Sequence, residues 1–198
     1  MPLLTTQSAR SYGLNLFSIP VTEDYVFIGS VTATGSESSF NITIPNTYKH
    51  LQIRSLTRDS RGNTNAPLWI QPNNDTTNAN YSVIYFYSYS TTNTNIGATH
   101  SVGEAGISAV GAGGVGGTSA AANIFGGGVT TIFDYNDTNK WKSWLHYGGI
   151  SNNNLSDELT SSSGGMWKST SAITSLYFRP FTSPFQANST IAVYGIKG

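Results

Sequence analysis

Cysteine is absent from the 198 residues, which removes disulfides, thiolate nucleophiles and Cys-ligated zinc or iron–sulfur centres from consideration. Charge is scarce as well. Ten Lys and Arg balance ten Asp and Glu, 10% of the chain, against about a quarter in an ordinary soluble domain. With no basic stripe to meet a phosphate backbone, nucleic acid is not an expected partner. No apolar run approaches the ~18 residues of a membrane span. Segment 1–10 has neither the basic region nor the apolar core of a signal peptide, so the expectation is a soluble product not exported by a signal of its own. A convincing amphipathic helix is also missing.

What fills the chain is Asn, Thr, Ser and Gly on one side and aromatics, 12% of residues, on the other. Short β-branched and aromatic runs recur between Gly, Asn and Pro turns. Runs 25–33, 39–44, 48–58, 68–70, 81–89, 129–135 and 140–147 read as strands. Phe40, Ile42 and Ile44 alternate on one face of the second. The last two runs, 172–180 and 189–198, carry apolar groups on both faces, which fits strands near the middle of a packed sheet. Pro180 and Pro184 lie in their connection, where no ladder hydrogen bond is needed. A chain that ends in a buried strand needs its terminus in order to fold.

Segment 97–128 is dominated by small residues, and because glycine loses the most entropy on ordering it is expected to be a long surface loop or a segment ordered by a partner. Segment 151–165 also reads as a loop. The expected architecture is all-β: a jelly-roll-like antiparallel β-sandwich, one domain over 23–198, preceded by a non-regular N-terminal arm over 1–22. In that arm Leu14, Leu16, Phe17 and Ile19 need a surface to cover them. A frayed terminus and an arm that docks on a neighbouring subunit both fit these residues.

Candidate chemistry is thin. Asp134 and Asp137 flank a turn, and Asp157 and Glu158 are adjacent in a polar stretch. Paired-carboxylate hydrolysis would need two such groups aimed across a cleft, and turn-forming, solvating roles explain all four. His50, His100 and His146 share no metal-ligand spacing, and no Gly-x-Ser-x-Gly elbow occurs. Segment 111–116 matches G-x-G-x-x-G, but the glycines at 126–128 follow too closely for the long helix a dinucleotide site requires. The oxygen ligands of 134–139 lack EF-hand spacing. The Asn-x-Ser/Thr triplets follow from composition. No catalytic residue, cofactor or metal is therefore expected. The aromatics remain: Tyr85, Tyr87, Tyr89, Trp141 and Trp144 are candidate glycan contacts, through ring stacking beside neutral hydrogen-bonding groups. The same residues suit a core or a subunit interface.

Several segments together resemble a family. Residues 3–13, 44–54, 80–82, 132–135 with 139–140, Trp167 with 172–176, and 193–196 are similar to stretches of tailed-bacteriophage virion structural proteins, fibre or decoration components mostly of unassigned role. The resemblance spans nearly the whole chain in short, strand-like pieces. It implies a non-enzymatic β-sandwich of the virion exterior, made in the host cytoplasm, and carries no catalytic residues. The expected partners are further copies of the chain, a trimer being favoured, other virion proteins and, through the aromatics, a host surface glycan. A carbohydrate- or receptor-binding module of a tail fibre is the alternative within the same resemblance.

Overall fold

The computed structural model describes residues 24–90, 94–102, 106–109, 115–151 and 158–198, with 65, 89, 90, 94–102, 108, 109 and 115 described by their backbone alone. The strands are β1 (Tyr25–Thr32), β2 (Phe40–Thr43), β3 (His50–Thr57), β4 (Asn65–Ala66), β5 (Leu68–Pro72), β6 (Tyr81–Ser90), β7 (Thr94–Val102), β8 (Ile107–Ala109), β9 (Val115–Gly116), β10 (Gly126–Ile132), β11 (Lys142–Ile150), β12 (Glu158–Trp167), β13 (Ser175–Pro180) and β14 (Thr190–Ile196). A 3₁₀ turn, Asn78–Asn80, precedes β6. Among the described residues no helix is long and apolar enough to cross a membrane.

Eight strands form one antiparallel sheet in the order β1-β14-β3-β10-β11-β12-β6-β7, and four form a second in the order β2-β13-β5-β8. The two inner faces share one core. Leu51, Ile53, Ile132, Trp144 and Val193 of the larger sheet pack with Ile42, Ile70, Leu176 and Phe178 of the smaller. This is an all-β sandwich. Alternation is clean where one face is covered: β13 and β14 bury every second side chain, and both are flanked by strands on either side.

The pairings are nested. β1 lies beside β14, β2 beside β13, β3 beside β10 and β5 beside β8, each antiparallel. The chain thus runs like a long two-stranded ribbon rolled into two layers. Strands β11, β12, β6 and β7 stand outside this ribbon and widen the larger sheet beyond β10.

Two expectations are overturned here. Segment 97–128 is not one long loop: it contains the end of β7, β8, β9 and the start of β10. Gly126, Gly127 and Gly128 are ordered because β10 is held between β3 and β11, and because Arg58 anchors the stretch before it; residues 103–105 and 110–114 lie outside the described residues. The buried guanidinium of Arg58 donates to the carbonyls of Ala120 (2.9 Å), Ala121 (2.7 Å) and Ile124 (2.8 Å). Nor is 151–165 wholly loop, since β12 runs from Glu158 and pairs with both β11 and β6. The N-terminal arm and its Leu14, Leu16, Phe17 and Ile19 lie outside the described residues.

Candidate binding surface

The outer face of the larger sheet is the unusual one. On β6, Ile84 and Phe86 point outward; on β11, Leu145 and Tyr147; on β12, Met166; on β10, Val129; and on β3, Leu56. All are large and exposed, with Phe86 at 56% and Tyr147 at 61%. Single exposed apolar residues are ordinary, but a contiguous set is not.

Register explains their relief. Ser162 of β12 lies opposite Tyr147 on one side and Phe86 on the other. Gly164 lies opposite Leu145 and Ile84. The small outward residues of β12 therefore form the floor of a trough, with β11 and β6 as its walls about 10 Å apart, two strand spacings. One section of about 450 Å³ is bounded by Ile84, Phe86, Leu145, Gly164 and Met166. The next, about 380 Å³, is bounded by Phe86, Ser88, Tyr147, Thr160 and Ser162. Gly164 keeps this shape, because a Cβ there would come within 2.9 Å of the Leu145 Cδ2 atom leaning over it.

Toward the other edge a second feature stands up. Phe27 and Tyr194 meet edge to face at 5.8 Å between ring centroids. The Arg54 guanidinium lies 4.7 Å over the Tyr194 ring and donates through Nε to Gln52 Oε1 at 2.8 Å. Arg54 is the one formal charge in the central area of this face among the described residues, and Glu158 sits at the far rim of β12, accepting from Ser151 Oγ. The face offers rings, aliphatic edges and neutral hydroxyls. Its chemistry is contact.

The five candidate glycan contacts are not gathered on one surface by the fold. Tyr85 and Tyr87 point to the inner side of β6 and are half-buried, Tyr85 against the main core and Tyr87 against Ala120, Ile150 and Leu159. Tyr89 is in β6, its side chain outside the described residues. Trp141 is half-exposed in the turn before β11. Trp144 is corrected outright: only 2% of it is exposed. Its indole crosses the inner face at Gly165, where a Cβ would approach Cζ2 to 2.8 Å. The alternation of β6 puts Tyr81, Tyr85 and Tyr87 inward and leaves Ile84 and Phe86 outside. Sequence reasoning passed over those two, Tyr147 and the small residues of β12. The β6 alternation held the signal for the outward pair.

The carboxylates serve turns. Lys140 Nζ lies 2.7 Å from Asp134 Oδ2 and 3.2 Å from Asp137 Oδ2. The Lys140 hydrogen bond holds the Asp134 carboxyl below the usual range, and the Asn139 amide, then Lys140, does the same for Asp137. Asp157 is outside the described residues. His50 Nδ1 accepts the Asp134 amide at 2.9 Å, whereas His146 is fully buried. His100 is in β7, its side chain undescribed. Of the G-x-G-x-x-G segment only Val115 and Gly116 are described, as β9 paired with β4. Among the described residues no three His, Asp or Glu side chains converge as metal ligands.

Asp75 is the busiest polar anchor near the trough's Met166 end. Burial alone would raise its carboxyl, but hydrogen bonds from Trp167 Nε1 (2.7 Å), Asn80 Nδ2 (2.7 Å) and the Thr77 amide (2.8 Å) outweigh burial and hold it low. Its main-chain carbonyl accepts from the Tyr81 hydroxyl at 2.7 Å. This cluster fixes the ends of β6 and β12, and hence one wall and the floor of the trough. Neither protein-family models nor curated proteins yield a match to this chain.

Proposed function

We propose that this chain is a non-enzymatic structural component of a tailed-phage virion, a homo-oligomeric fibre or capsid-decoration module on the particle exterior, attached through its N-terminal segment. The observation that carries the reading is the outer face of the larger sheet: broad, nearly uncharged and lined by exposed aromatic and aliphatic side chains. Such a surface suits protein–protein assembly, where aromatics are enriched and charges depleted at the core of the contact. The resemblance of segments 3–13, 44–54 and 193–196 to virion proteins supports the same reading. So does the nested strand pairing, which is compatible with the wiring of a jelly roll widened by further strands.

The arm is tested by deletion. Removing residues 1–20 is expected to leave a domain with an unchanged thermal transition that no longer enters particles, measured as the chain's content in purified virions. Normal incorporation of the shortened chain would reject the arm as the attachment device.

A further inference from the structure

We infer that the trough on β12 is the seat of a second copy of this chain, packed face to face about a two-fold axis running along β12. The inference deepens the homo-oligomeric part of the function proposed above and rests on it.

Symmetry makes the fit specific. A two-fold axis along β12 sets whatever stands on its β6 side opposite whatever stands on the partner's β11 side. Phe86 then faces Tyr147 of the other copy, and Ile84 faces Leu145, each pair occurring twice. The walls are thus matched ring to ring and aliphatic to aliphatic. Between them the floors, Thr160, Ser162 and Gly164, face their own symmetry mates. These small residues leave room over the axis for the wall side chains of both copies to lean inward as the two sheets approach to about 10 Å.

Charge favours the same axis. Arg54 is on β3, three strands from β12, so it lies about 14 Å to one side of the axis. The position facing it across the pair is about 14 Å to the other side, beyond β7, the last strand of the sheet. Each guanidinium therefore stays at a wet margin, and the central contact buries no charge among the described residues. An axis across the strands through Ser162, the strand row shared by Tyr147, Val129 and Arg54, would instead set the two guanidiniums against each other.

The area suffices. Overlap runs from β7 to β10 about the axis, about 24 Å wide, and over seven residues of β12, about 23 Å long. That is about 550 Å² per copy and about 1,100 Å² in all, above the roughly 1,000 Å² that marks a specific interface. The contact is isologous and closes at two copies, in place of the trimer favoured from sequence.

Sedimentation of the full chain over a concentration series tests this. The expected result is a dimer that the double variant Phe86→Lys, Tyr147→Lys converts to monomer. Circular dichroism stays unchanged and unfolding stays cooperative, because both side chains are more than half exposed, while the midpoint falls as the stability that association adds through mass action is lost. Phe27→Lys, on the β1 ridge outside the overlap, is expected to leave the dimer intact. An assembly that survives the double variant, or a trimer, overturns this interface while leaving the homo-oligomer standing. A monomeric full chain overturns both, and a monomer that dimerises only after deletion of residues 1–23 shows the arm, and not a second copy, to be the occupant.

Discussion

An imidazole buried with little polar company is cheaper to keep neutral than charged, and His146 shows the effect. It is fully buried on the inner face of β11. Thr130 Oγ1 lies 2.9 Å from its Nδ1, and its Nε2 has no protein partner. Burial pushes its pKa from 6.5 down to about 4. The unfolded chain therefore binds a proton that the folded chain refuses. Stability from this group is complete above about pH 6.5 and is lost as pH falls from there toward 4, by about 1.4 kcal/mol per unit and about 3 kcal/mol in all. Denaturant unfolding at pH 7 and pH 5 should show about 2 kcal/mol of loss that His146→Gln lacks. Equal pH slopes for the two proteins would contradict the assignment. Lys142 solves a similar problem with its charge retained. It is fully buried, and its ammonium lies against four carbonyls, those of Asp137 (2.6 Å), Lys140 (2.9 Å), Thr170 (3.2 Å) and Ser169 (3.4 Å). Burial still pulls its pKa down, but the carbonyls replace water around it and tie the 137–140 turn to the 169–170 connection.

Within the elements, glycine and serine do what the sequence pattern hides. Strands β1, β2, β3, β5, β6, β11, β13, β14 and the 129–132 part of β10 were legible because β-branched and aromatic residues alternate or run together in them. Strand β12 was not, because Thr160-Ser161-Ser162-Ser163-Gly164-Gly165 looks like a loop until its neighbours are known. On the inner face Tyr85, Tyr87, Trp144 and His146 of the neighbouring strands leave room only for Ser161, Ser163 and Gly165, and on the outer face Gly164 passes beneath Leu145. The trough was invisible for the same reason: it is made by what β12 lacks. The glycines of β10 and β11 have a comparable logic. A Cβ on Gly128 would come within 2.5 Å of His146 Cε1, and one on Gly148 within 2.6 Å of Nε2, whereas one on Gly127 meets only Leu56 Cδ1 at 3.9 Å. Since His146 is enclosed, Gly128→Ala is expected to cost about 1–3 kcal/mol by overpacking. Gly127→Ala, one residue away on the open face, should be neutral or stabilising by up to about 1 kcal/mol. Thermal unfolding of the two variants separates them, and equal losses would mean that the histidine does not set the requirement.

At the scale of the molecule the nested pairing decides which part of the chain is dispensable. Tyr25 stands opposite Ile196 and Thr32 opposite Thr190, so the first described strand has no partner until the last one arrives. Strand β14 also pairs with β3 and contributes Ile191 and Val193 to the shared core, 1% and 0% exposed. Each buried side chain of this kind stabilises by about 1.5–3 kcal/mol. Losing both, together with the ladders on two sides, removes an amount comparable to the roughly 5–15 kcal/mol that holds a typical domain together. It would also leave β1 detached and β3 with an open edge, a template for aggregation. A chain ending at residue 188 is therefore expected to show no cooperative thermal transition and to aggregate, although it lacks only 10 of the 198 residues. Removing twice as many from the other end should leave the transition in place. A cooperative transition in the chain lacking β14 would mean that β1, β3 and β10 can hold the larger sheet together without the strand between them.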